Sequence, residues 1–205
     1  KRKPSLEYPA GLGFEHMVRG GLWVGAHSTY GGREFDGVST GTVDGTTNTS
    51  GQDATEFTPI GSDLLLRSIL PIDPSYKLDA VSEQDIIGTF ADFPGTQAPG
   101  SAEDSSPMGL MITQENYSWS FSDYAHILFF HFKIKNTGPL LTNLWVGFYT
   151  EFASGNKNAY VNWPPGGTDP SGTGSWFSKK LIQYDPAYRL FREHYCASSP
   201  IPSGC

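Results

Sequence analysis

The stretch from Asn116 to Phe152, NYSWSFSDYAHILFFHFKIKNTGPLLTNLWVGFYTEF, constrains the fold more than any other part of the chain. From His126 the even positions Leu128, Phe130, Phe132 and Ile134 are apolar, whereas Ile127, Phe129, His131, Lys133 and Lys135 begin apolar and end charged. Alternation with a period of two sends successive side chains to opposite faces, so it specifies a strand. After Asn136-Thr137-Gly138-Pro139 the pattern resumes, with Leu144, Val146, Phe148, Thr150 and Phe152 on one face and Trp145, Gly147, Tyr149 and Glu151 on the other. The expectation is two long strands joined by a turn, each burying a face, within core strands spanning about residues 108–152.

A chain of 205 residues with 24 Gly, 15 Pro and 17% charged residues is poor in helix formers and rich in turn formers. Such a balance favours an all-β fold, here an antiparallel β-sandwich of immunoglobulin- or jelly-roll-like type with long Gly/Pro/Ser-rich loops. No linker or internal repeat divides it, so residues 1–205 are read as one sandwich domain. The net charge of -7 argues against nucleic acid, which requires a basic footprint. The basic run Lys1-Arg2-Lys3 reads as a solvated terminus. No apolar run has the roughly 18 to 20 residues of a transmembrane helix. No signal peptide is evident, which fits a mature, trimmed or cytoplasmic chain.

Along the chain, Gly21 to Ala26 reads as a strand, followed by a loop-rich segment with turns at Gly31-Gly32, Asp36-Gly37 and Asp44-Gly45. Those turns leave Arg33-Glu34-Phe35 and Val38-Ser39-Thr40 as short hairpin strands. Leu64, Leu65, Leu66, Ile69 and Leu70 suit either a helical turn or a buried strand, ended by Pro71 and Pro74. In VSEQDIIGTFADF, Ser82 and Asp85 are spaced as a helix start, but Ile86-Ile87 favours a strand. Residues 94–107 read as a surface loop, and Met108 begins a strand leading into the central pair. Asp185-Pro186 splits KKLIQYDPAYRLF as a hairpin turn would.

Motifs that carry chemistry are scarce. Cys196 and Cys205, in CASSPIPSGC, fit a short disulfide-closed loop and hence an oxidising compartment. Two independent thiols, or pairing of Cys205 beyond this chain, are the alternatives. Asp44, Asn48 and Asp53 offer oxygen ligands on a Gly-rich loop, a candidate calcium site without EF-hand spacing, against a plain solvated turn. His126 and His131 differ by an odd offset, so on one strand they face apart. There is no H-E-x-x-H and no phosphate-binding glycine loop. Trp119, Tyr160, Trp163 and Trp176 are candidate aromatic contacts, for sugar stacking or a protein partner, against simple packing of loops onto the core.

The segments SPMGLMITQENYSWSF, KIKNTG and LWVGFYTEF resemble a module of large secreted proteins of Bacteroidetes-like Gram-negative bacteria. That module has a Pro-hydrophobic-Gly strand, then Q-x-x-Y-x-W, a strand ending in Lys-Asn-Thr-Gly, and one with Val-Gly-x-Tyr/Phe. EYPAGLGFEHMVRGGLWVGA is similar to its opening and VSEQDIIGTFADF to its middle, so the likeness spans most of residues 4–155. Many such proteins continue into immunoglobulin-like or secretion-sorting domains. The resemblance implies an exported cell-surface or extracellular protein with a sandwich core, a fragment of a longer chain, and no established catalytic residue. Where the module carries Asp-Phe-Asp, this chain has Glu151-Phe152-Ala153, so a carboxylate pair there is incomplete.

The resulting expectation is a non-enzymatic structural or assembly protein such as an adhesin, sheath or filament subunit. Its partners would be further copies of itself or cell-envelope proteins. The alternative is a carbohydrate-binding or polysaccharide-processing module built on the aromatics.

Overall fold

The computed structural model describes residues 6–9, 11, 12, 16–30, 32–41, 56–93, 107–152 and 180–195. Among them there are strands and turns and no helix. In chain order the strands are β1 (Met17–Tyr30), β2 (Arg33–Thr40), β3 (Thr58–Pro59), β4 (Leu65–Arg67) and β5 (Gln84–Asp92). β6 (Leu110–Ser118), β7 (Phe129–Asn136), β8 (Thr142–Phe152), β9 (Lys180–Asp185) and β10 (Leu190–Tyr195) follow. Among the described residues three sheets form: β2-β1-β8, the five-stranded β3-β5-β6-β7 with β4 also on β5, and the β9-β10 hairpin. None closes into a barrel. The strands fall into two compact units. One holds β9, β10, the start of β1 and the end of β8, and the other holds β2 to β7 with the remainder of β1 and β8.

Local chemistry explains most of these elements. Tyr30 pairs with Arg33, and Gly32 before β2 lies in a turn, where a turn is expected. β1 is longer than its sequence reading, running on through His27 to Tyr30. Asp36-Gly37 is not a turn; both residues lie inside the continuous strand β2. Asp36 pairs with His27, whose Nδ1 is 3.0 Å from Asp36 Oδ1, and the Phe35 ring lies over Gly37. A Cβ at Gly37 would stand 2.7 Å from the Phe35 Cε2, so the ring occupies the space a side chain would need.

Gln84 to Asp92 is a strand along its whole length, and Asp85 still makes the bonds of a cap. Its carboxylate accepts from the amides of Val81 and Ser82 and from the Ser82 hydroxyl. The leucine-rich run yields the three-residue β4, and Leu64, Leu65 and Leu66 are exposed where a buried element was one expectation. β9 and β10 form the hairpin signalled by Asp185-Pro186, with Asp185 Oδ1 accepting from the Ala187 amide at 3.1 Å.

The central stretch corrects the sequence reading in two ways. β7 pairs with β6 and β8 belongs to the sheet of β1, so the two strands are not partners. Thr137 prolongs the β6–β7 ladder by one position, its amide and hydroxyl both bonding the Gly109 carbonyl. Nor are the two strands the buried core: Phe130, Leu144, Val146 and Phe148 are exposed, and Trp145 is 77% exposed. Alternation marks an apolar face but does not say what covers it. Among the described residues the buried apolar side chains are instead Leu22, Val24 and Ala26 of β1, Ala91 of β5, Leu110 and Ile112 of β6, and Phe57 and Met108 beside them.

Candidate functional site

Within the larger unit, buried polar side chains gather where β2 ends, β5 ends and β6 begins. Asp92, at 0% exposure, closes the last turn of β5. Its Oδ2 accepts from the Ser39 hydroxyl at 2.6 Å and the Met108 amide at 2.8 Å, while Oδ1 accepts nothing. Burial pushes this carboxyl above its ordinary range; the two hydrogen bonds act against that, and the Glu56 charge adds to it. Glu56, also buried, accepts from the amide and hydroxyl of Thr40 at 2.8 and 2.6 Å. Each carboxylate therefore fastens the two ends of one connection: Glu56 joins residue 56 to Thr40, and Asp92 joins the end of β5 to Met108. The Ser39 bond couples the two bases across 53 residues of sequence.

A second cluster lies on the β6–β7 ladder. Glu115 stands directly opposite His131, two positions from Lys133 and Tyr117. Lys133 Nζ bonds Oε1 at 2.7 Å, and Oε2 receives His131 Nδ1 at 2.7 Å and the Tyr117 hydroxyl at 2.9 Å. The Lys133 bond above all, with those from Tyr117 and His131, outweighs burial and holds the Glu115 carboxyl down at about 2. Burial and the Glu115 bond push the Tyr117 phenol up to about 12. An ionised carboxylate with both oxygens occupied is a clamp between strands and a poor proton acceptor for catalysis.

The third cluster is aromatic. Trp119, directly after β6, meets Phe129 edge-on at 5.4 Å and 85°, and Tyr124 at 5.9 Å and 52°. Phe121 and Tyr124 meet at 5.2 Å and 86°. Edge-to-face contacts of this kind are favourable packing between quadrupoles. Trp119 thus anchors the turn from β6 to β7, and the four rings present no common flat surface for sugar stacking.

Of the residues singled out by sequence, Trp119 is described and has this packing role. Tyr160, Trp163 and Trp176, the calcium candidates Asp44, Asn48 and Asp53, and the cysteines Cys196 and Cys205 lie outside the described residues. His126 sits in the turn before β7, so it and His131 do not share a strand. Among the described residues no group of three or more His, Cys, Asp or Glu side chains is placed to hold a metal ion. Sequence reasoning missed Ser39, Thr40, Glu56 and Asp92 altogether. It read Lys133 and His131 as one charged face without their partner Glu115. The signal for that partner is register: Glu115 is the acid that the ladder places opposite the basic end of β7.

No protein-family model, curated protein or solved structure matches this chain.

Proposed function

We propose that this chain is an exported, non-enzymatic structural or assembly protein of the cell surface or extracellular space, working against further copies of itself or envelope proteins. The observation that carries the reading is the apolar face left open on β8. Leu144 and Val146, two positions apart and so on the same face, are each more than half exposed. Contiguous exposed apolar surface on a folded chain marks a contact site. The two polar clusters support the same role, since the hydrogen bonds each makes join strands or the ends of connections. Sequence resemblance to modules of secreted bacterial proteins agrees with it.

The fold that fits is a β-sandwich, with the β2–β1 pair laid on the five-stranded sheet. Its support is the Ser39–Asp92 bond between those sheets and the buried rows Val24 and Ala26 on one and Leu110 and Ile112 on the other. The carbohydrate-binding alternative finds no platform at Trp119, where the rings are tilted against one another.

The test is the size of the native purified species, by mass photometry and electron microscopy on one sample. Regular assemblies that dissociate on Val146→Ser, with the variant still folded, are the expected result. A monodisperse species near the 22.4 kDa chain mass at all concentrations would overturn the role.

A further inference from the structure

Between Ile60 and Val81 the chain exposes every Leu, Ile and Val it carries. Ile72 and Leu78 stand out furthest, each 93% exposed. A surface loop ordinarily ends in small or polar residues, so two aliphatic tips call for a partner. Nor is this segment a loose one. The Ser68 amide donates to the Ser75 carbonyl, the Lys77 amide to the Ser68 carbonyl and the Ile69 amide to the Ser82 carbonyl, each at 3.0 Å. The buried Ser68 hydroxyl donates to the Glu83 carbonyl at 2.7 Å. The acids beside the tips are engaged within the segment: Asp73 accepts from the Ser75 amide at 2.7 Å, and Asp79 pairs with Arg67 at 2.6 Å. Covering them therefore strands no unpartnered acid, and a segment already ordered loses little entropy on docking.

Resting on the assembly role given above, we propose that this segment is what the open β8 face receives: Ile72 and Leu78 of one copy seat on Leu144 and Val146 of the next. Both surfaces are exposed in a single copy, so neither covers the other there, and their contact joins two copies. The surfaces also differ. The segment follows β4 of the five-stranded sheet, whereas β8 lies in the sheet of β1, so the contact is head-to-tail and repeats from copy to copy. Size and charge agree with this. The run from Ile60 to Val81 has the length of the roughly 20–30 residues that one side of a standard interface contributes. From Thr142 to Thr150 β8 carries no charged residue, so nothing on it opposes aliphatic tips. A lipid surface suits them less, because Asp63, Asp73 and Asp79 flank the tips where membrane-seated segments carry Lys and Arg.

Size exclusion with light scattering tests the contact on the wild type, on the double variant Ile72→Asp/Leu78→Asp, on Val146→Ser and on a mixture of the two variants. The expected result is that the wild type assembles and each variant alone stays at the 22.4 kDa chain mass. Their equimolar mixture gives a species of twice that mass and nothing longer, since one variant keeps only the tips and the other only the face. Wild-type assembly of Ile72→Asp/Leu78→Asp overturns the contact and leaves the assembly role standing. A mixture that stays monomeric overturns it too, because the tips then seat elsewhere. A monomeric wild type removes the role and the contact together. Binding of the wild type, and not of the double variant, to phosphatidylglycerol vesicles with assembly unchanged overturns it in favour of a membrane. Both substituted tips are 93% exposed, so far-UV circular dichroism of the double variant should match the wild type.

Discussion

Gly109 and Gly138 meet backbone to backbone. A Cβ on Gly138 would stand 2.5 Å from the Met108 carbonyl oxygen, and one on Gly109 would stand 2.6 Å from the Gly138 Cα. Beside this contact, Thr137 sends its amide and hydroxyl to the Gly109 carbonyl at 2.9 and 2.7 Å. The Pro-Met-Gly that opens β6 and the Asn-Thr-Gly that closes β7 are thus one structural joint. Two short motifs far apart in sequence are glycine-terminated for the same reason.

Gly138→Ala should therefore destabilise the fold by about 2 kcal/mol or more, because the atom its Cβ would meet is backbone and cannot move aside. Gly109→Ala should cost at least as much, since its φ of +73° adds left-handed strain to the overlap. Gly147→Ala is the control: nothing lies within 4 Å of its Cβ position, and the change should be neutral within about 0.5 kcal/mol. Urea unfolding of the three variants checks the ranking, and equal costs at Gly138 and Gly147 would remove the joint.

Glu115 governs acid stability. Its folded carboxyl lies at about 2 against an ordinary 4.5, so its contribution is complete above 4.5 and is lost as pH falls toward 2. Glu115→Gln should lower stability near neutral pH by about 1–3 kcal/mol and flatten the acid limb of the profile. Lys133→Met should reproduce most of the effect, because the Lys133 bond is the largest cause of the shift. An acid limb unchanged in both variants would show that the clamp does not hold β7.

What sequence could show depended on whether the determinant was local. The turns at Gly32 and Asp185-Pro186 and the strands β5, β6, β9 and β10 were legible, because turn chemistry and alternation act over a few residues. Asp36-Gly37 carries the same turn signature but lies within β2, where a cross-strand histidine and a neighbouring ring override it. That β7 pairs with β6 while β8 joins the sheet of β1 is a matter of contacts between segments far apart in sequence, which no local pattern encodes. The buried acids were invisible for the same reason: Ser39 and Asp92 acquire their meaning only when two sheets bring them to 2.6 Å. Trp119 was legible as an anchor and not as a platform, since ring tilt is a matter of packing.

Trp119 should behave as a packing residue. Trp119→Ala removes edge-to-face contacts to Phe129 and Tyr124 and should cost about 3 kcal/mol. Phe121→Ala, half exposed at the rim of the cluster, should cost less than half as much. Tryptophan fluorescence and urea unfolding read both. If Trp119→Ala keeps full stability but abolishes binding on a glycan array, the carbohydrate reading takes its place.

The Ser82–Asp85 pair fixes where β5 starts and where β6 stops. Asp85, buried at 1% exposure, receives the Val81 amide on Oδ2 and the Ser82 amide on Oδ1, each at 2.8 Å. The Ser82 hydroxyl donates to the same Oδ1 and accepts the Ser118 amide at 3.2 Å, so one hydroxyl spans the ends of both strands. Asp85→Asn turns an amide NH2 toward a backbone N–H and should cost about 2 kcal/mol. Ser82→Ala keeps the two backbone bonds to Asp85 and should cost about 1 kcal/mol. Its distinctive effect should be local, a rise of roughly tenfold in hydrogen exchange at the Ser118 amide, with mid-strand amides of β6 unaffected. Uniform acceleration along β6 would mean that the hydroxyl supports the whole fold and not the strand ends.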